Sequence, residues 1–147
     1  MSLPRLYAPV LAASAFVLSM TAQTWAATPA AVTVDMTNQQ DGVQVMRLDR
    51  AEMPAGKVTF RVKNTSSDEV HEFLIVPTRL APEQFPMAKD GSRVDEKKLK
   101  GIKELDDLKP GKGGTLTLDL KPGHYVVFCN EPGHFQGGMH AELTVAG

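Results

Sequence analysis

The segment Cys129-Asn130-Glu131-Pro132-Gly133-His134-Phe135-Gln136-Gly137-Gly138-Met139 constrains this chain more than any other. It holds the single cysteine of the sequence, a histidine five positions on and a methionine five beyond that. Pro132-Gly133 and Gly137-Gly138 bend the backbone between them. The apolar run Tyr125-Val126-Val127-Phe128 leads in and Ala141-Glu142-Leu143-Thr144-Val145 alternates on the way out, so the segment reads as a loop joining two strands. Thiolate, imidazole and thioether are soft and borderline donors, and a loop that gathers them suits a copper ion.

A trigonal site of two histidines and one cysteine, with a weak axial methionine, needs a second imidazole from elsewhere. His71 is the best supplier. It sits in the β-branched and aromatic run Val70-His71-Glu72-Phe73-Leu74-Ile75-Val76, in which His71, Phe73 and Ile75 share one face. With this set, His71 plus Cys129-x4-His134-x4-Met139, the chain resembles the cupredoxins, the family of plastocyanin, azurin and rusticyanin. The x4/x4 spacing is most like that of rusticyanin-type sites, and the resemblance spans roughly residues 32–146. It implies one type 1 copper ion per chain, with His71, Cys129, His134 and Met139 as ligands. Two positions depart from the family pattern. Glu72 stands where many cupredoxins carry Asn, and Val70 where azurin-like sites carry Gly.

Each ligand has a plainer reading: a buried inert cysteine, a structural histidine, a methionine that only fills core. The common loop and its spacing favour ligation. His140 follows Met139 and points the other way, and His124 is out of phase with Cys129, so both read as surface residues. Met36, Met46, Met53 and Met87 are scattered, without the clustering of a thioether copper chaperone.

The rest of the chain supports a small exported domain. Arg5 followed by an apolar stretch from Val10 to Met20 reads as a signal peptide over 1–26, cleaved after Thr24-Trp25-Ala26 and too short to span a bilayer. Its removal leaves 15 basic and 17 acidic residues, which argues against a nucleic-acid partner. One cysteine excludes an internal disulfide. Residues 27–31 read as a leader, and 27–147 as one copper-binding domain, expected to be a periplasmic monomer with no stable membrane insertion.

Alternation predicts an all-β, Greek-key β-sandwich of short strands. Val58, Phe60 and Val62 face in, as do Leu116, Leu118 and Leu120, then Met139, Ala141, Leu143 and Val145. Between Val43 and Asp49 the phase slips, since Val43 and Val45 lie on one face and Met46 and Leu48 on the other; a bulge would reconcile them. Residues 77–113 interrupt the rhythm with four prolines and a charged run, and Leu99, Ile102 and Leu105 lie three apart. That pattern predicts a partly helical, solvated insertion, with a partner-docking element as the sharper alternative.

The resemblance implies a one-electron carrier between redox partners, such as a cytochrome or a copper or haem oxidoreductase. Copper delivery or resistance would use the same ligands. An enzyme is not expected, because Cys129 and His134 lack an orienting third group and no G-x-S-x-G elbow is present. Pro132, Gly133, Phe135, Gly137 and Gly138 carry no charge, so the ring edge of His134 is expected at a small apolar surface. Asp68, Glu69, Glu72 and Glu131 would rim it, with His71 shielded.

Overall fold

The computed structural model describes residues 30–39 and 41–147. The expected signal peptide lies outside the described residues. Of the expected leader, Ala30 and Ala31 already belong to the first strand, β1 (Ala30–Asn38).

Eight further strands follow: β2 (Gln44–Leu48), β3 (Glu52–Pro54), β4 (Gly56–Asn64), β5 (His71–Pro77), β6 (Lys103–Leu108), β7 (Gly113–Leu120), β8 (Gly123–Phe128) and β9 (His140–Ala146). They form two sheets, ordered β2-β1-β4-β7 and β3-β9-β8-β5-β6. Alternation places the core between them. Val32, Val34, Val58, Phe60 and Phe73 are fully buried there, with Ile75, Val127, Leu143 and Val145 beside them. β8 is the middle strand of its sheet, which explains why its residues are apolar on both faces.

Two expectations about local structure change. β2 pairs with β1 in continuous register from Val34↔Leu48 to Asn38↔Gln44, with no bulge. Its inward face is Gln44 and Met46, while Val43 is 43% exposed. The slip in hydrophobic phase arose because a polar residue points in and an apolar one out. The bulge sits instead between β5 and β6: His71 pairs with Leu108 and Phe73 with Leu105, so β6 carries one extra residue. Asp107 takes it up at φ 54°, a left-handed conformation that Asp tolerates better than most residues.

Residues 77–113 are not a solvated excursion. Their helical content is two single 3-10 turns, Pro82–Gln84 and Glu96–Lys98, and their last part is the sheet strand β6. Leu99, Ile102 and Leu105 do not share a helix, because the chain is already extended at Leu99 and Leu105 lies in β6. The segment covers the outer face of β5 and β8, where Phe85 and Val94 join Leu74, Val76, Val126, Phe128 and Phe135 in a second core. A sheet apolar on both faces must be covered on both, and this segment supplies the second cover.

Candidate metal centre

β5 begins at His71 and β8 ends at Phe128, and these strands are antiparallel neighbours, so His71 and Cys129 meet at one end of the sandwich. The bulge lets β6 stay paired as far as His71. The loop from Cys129 to Met139 is wound tightly: His134 N–H donates to Glu131 O, Met139 N–H to His134 O and Cys129 N–H to Met139 O, at 3.0, 2.9 and 3.0 Å. Met139 is thereby turned back over Cys129, and both are fully buried in the main core. Gly138 makes this return possible. It sits at φ 106°, and a Cβ there would lie 3.0 Å from Gln44 O.

At the centre, Nδ1 of His71 lies 3.1 Å from Nδ1 of His134, and Sγ of Cys129 lies 3.4 Å from that same His134 nitrogen. The donor atoms of His71, Cys129 and His134 all fall within 4.8 Å of one another. Glu72 N–H donates to Cys129 Sγ at 3.4 Å, so the main chain beside the first histidine supports the sulfur whatever side chain follows.

Burial dominates the electrostatics. It lowers His71 to about 4, helped by the His134 ring and opposed by Glu69. His134 is lowered too, chiefly by burial. The Cys129 thiol is pushed up to about 12 by burial, against the N–H bonds from Glu72 and Glu131. Both rings are therefore neutral near pH 7, the form in which imidazole binds metals.

Glu72 is raised to about 7, by burial first and then by Glu131 and Glu96. This predicts a pH signature for the metal-free chain. His71 favours folding above its unfolded value of 6.5, and that stability is lost as pH falls towards 4. Glu72 works the other way: its contribution is complete below 4.5 and is lost as pH rises through about 7. Glu72→Gln should therefore stabilise the metal-free protein near pH 7 by roughly 2 kcal/mol, leaving the slope set by the buried histidines. Urea denaturation of both proteins from pH 4 to 8 checks this, and superimposable profiles would contradict it.

Bracing comes from the covering segment and from Asn64. Asn130, 2% exposed, accepts from Val94 N–H at 2.7 Å and donates to Val94 O and Glu96 Oε1 at 3.1 and 2.6 Å. Gly133 N–H donates to Ser92 O at 2.8 Å, and Arg93 pairs with Glu131 at 3.0 Å. Asn64, fully buried, donates to Glu69 O and Leu108 O at 2.8 and 2.6 Å, tying the loop before His71 to the end of β6. Sequence reading passed over Asn64, Asn130 and Gln44. Their one signal was a carboxamide placed where an apolar side chain would otherwise be buried.

The surroundings of His134 also differ from expectation. Phe135 is only 6% exposed, stacked on Phe85 at 5.5 Å and edge-on to Phe128 at 5.7 Å, so it forms no surface patch. His134 instead opens on a shallow depression lined by Glu69, Val70, Asp107, Glu131 and Pro132. Glu69 Oε2 is 3.5 Å from its Nε2. Of the expected acidic rim, Glu69 and Glu131 line this depression. His71 is fully buried, as expected of the shielded histidine. His124 bonds Thr78 O and Glu142, whereas His140 is half-buried with its ring centroid 5.0 Å from that of Phe135.

The fold is that of the cupredoxins, and its His-Cys-His cluster has the donor chemistry for one type 1 copper ion per chain. Among solved structures, the chain is similar to reduced auracyanin from the photosynthetic bacterium Roseiflexus castenholzii, with 26% identity, TM-score 0.54, and 80% of this chain and 99% of that chain covered. Auracyanin B follows at 23% identity and TM-score 0.53, covering 82% and 91% of the two chains. Rusticyanin from Thiobacillus ferrooxidans stands at 21% and 0.52, covering 80% and 79%. No family model and no curated protein matches the chain.

Proposed function

We propose that this protein is a one-electron carrier whose copper ion is held by His71, Cys129, His134 and Met139. The convergence of two imidazole nitrogens and one thiol sulfur within 4.8 Å, in a site closed by two cores, carries this reading. When bound, the copper supplies a Cu(II)/Cu(I) couple. The chain's own part is to keep its donors still while the charge changes. Cys129, His71 and Met139 are fully buried and so exclude water from three sides. The hydrogen bonds within the loop and to the covering segment fix the fourth, His134, in position.

Electrons enter and leave at His134, the partly exposed member of the set. Glu69, Asp107 and Glu131 around it suit a redox partner with a basic face, at a rate that falls with ionic strength. We assign export to the periplasm on the apolar, singly charged residues 1–26, and a monomeric state on the modest size of the domain. No helix among the described residues is long and apolar enough to cross a membrane. The deciding experiment is the visible and EPR spectrum of the Cu(II)-loaded protein. An intense blue or green colour that bleaches on reduction supports the reading, and a colourless, weakly absorbing complex rejects it. A carrier also retains its copper against competing apo-sites, where a delivery protein releases it.

Met139 would supply a thioether to the ion in this reading. Met139→Leu should raise the reduction potential and Met139→Gln lower it, because a donor at that position would stabilise the oxidised ion. Both variants should keep their copper. Voltammetry of the three proteins checks this. Equal potentials would make Met139 a core residue only.

A further inference from the structure

We propose that β7 is a docking edge for an extended, acidic peptide strand of another protein. The strand adds to the main chain at residues 115–119 and sets one apolar side chain in the cavity beside it. Four strands end the two sheets, and three of them are guarded. β3 is three residues long and contains Pro54, and β2 is five long with an exposed Arg47. β6 carries Lys103, Glu104, Asp106 and Asp107 and is interrupted by the bulge. Short length, charge, proline and bulges are the devices that keep sheet edges from pairing. β7 is eight residues long, has no lysine, arginine or proline, and carries one charge, Asp119. Its register with β4 is continuous from Lys63↔Gly113 to Gly56↔Leu120.

The phase of the ladder says which groups are free. Asn64 N–H donates to Lys112 O at 2.8 Å, and along an antiparallel strand every second residue bonds its neighbour. Gly114, Leu116, Leu118 and Leu120 therefore bond β4, while Thr115, Thr117 and Asp119 turn their N–H and C=O groups away from it. No hydrogen bond meets those groups among the described residues. β6 covers only the beginning of β7, where a Cβ on Gly114 would lie 3.4 Å from Leu105 Cδ1 and 3.6 Å from Leu108 Cδ2. Further along, a cavity of about 280 Å³ lies between the two edges, with apolar walls from Ile75, Leu118, Leu120 and Tyr125. Its polar lining is Asp119 with two exposed cations, Lys103 and Lys121. The Tyr125 hydroxyl donates to Lys121 O at 2.9 Å and so fixes the turn that follows β7.

An added strand gains affinity from main-chain bonds and specificity from the pockets its alternate side chains meet. Here the pocket takes an aliphatic or aromatic group, and two cations against one carboxylate select an acidic strand. A second copy of β7 fits less well, since it brings one acid and its own two lysines. The edge lies at the Pro77 and Tyr125 ends of β5 and β8, roughly 20 Å along the strand from His71, so a docked strand leaves His134 uncovered. Amide exchange of the full chain, read by NMR, tests this with three capped heptapeptides of alternating threonine and valine. Each carries one aspartate and a central alanine, leucine or phenylalanine. With the leucine or phenylalanine peptide at about ten times its Kd, exchange at Thr115, Thr117 and Asp119 should slow about tenfold. Leu116 and Leu118, already bonded to β4, should slow far less, and the alanine peptide should bind more weakly. Methylating the peptide nitrogens on one edge should abolish binding, and on the other edge should not. Lys103→Glu combined with Lys121→Glu should reverse the wild-type preference for the aspartate peptide over its asparagine counterpart. No protection at millimolar peptide, equal protection at alternate residues, or binding that survives methylation of either edge overturns the proposal. Dimerisation that protects the same three amides without peptide also overturns it and makes the edge a contact between copies. None of these readouts involves copper, so their outcome is separate from the electron-carrier reading.

Discussion

Cys129→Ser is expected to remove the intense visible band of the Cu(II)-loaded protein completely. The colour of such a site depends on a short, covalent bond between copper and a thiolate, and an alcohol oxygen is neither soft enough nor acidic enough to replace it. Burial pushes the Cys129 thiol up to about 12, so the proton must be displaced by the metal itself. Copper binding should therefore release a proton in wild type and not in the variant at pH 7. Serine is close to cysteine in volume, so the fully buried position should tolerate it and the fold should survive. Spectra, proton release and thermal melting of both proteins separate loss of the donor from loss of structure. A variant that kept the band would show that the colour does not come from a copper–thiolate bond, since the chain has no other cysteine.

Phe135→Lys should be the most damaging substitution near the site, and the damage is to folding. Losing a buried aromatic side chain costs about 3–5 kcal/mol, and the ammonium group adds a desolvation penalty unless it escapes to water. Phe135 packs against Phe85, Phe128 and His140 and is only 6% exposed. A melting temperature lower by at least roughly 10 °C is expected. Phe135→Leu, which keeps most of the apolar volume, should lose much less. Were Phe135→Lys to melt like wild type while electron transfer slowed, the ring would belong to the docking surface after all.

That substitution also shows where sequence reading stops. The ligand loop and the strands around it were legible because their signals are local: fixed spacing, paired glycines, clean alternation in β4, β7 and β9. His71 was legible because it opens a strand whose inward face is otherwise apolar. Phe135 was not, since its neighbours are histidine and glutamine and its packing partners come from β8 and from the segment before β6. Gln44 misled for the opposite reason. Its side chain is buried to serve the site while Val43 beside it is exposed, and this inverts the hydrophobic signal of β2. Residues 77–113 look solvated because their apolar members are few and widely spaced. Phe85, Met87, Val94, Leu99 and Ile102 nonetheless pack on the outer face of β5 and β8, and no local pattern records that.

The covering segment sets a limit on engineering. A metal-binding loop anchored only at its two strand ends could be cut out and replaced by another of different length or sequence. Here the loop reaches sideways through Asn130, Glu131, Gly133 and Phe135 into residues 85–96. The transplantable unit is accordingly discontinuous in sequence. A graft of 129–139 alone would arrive without its buttress, and a foreign loop inserted here would leave Phe85 and Val94 facing an open seam.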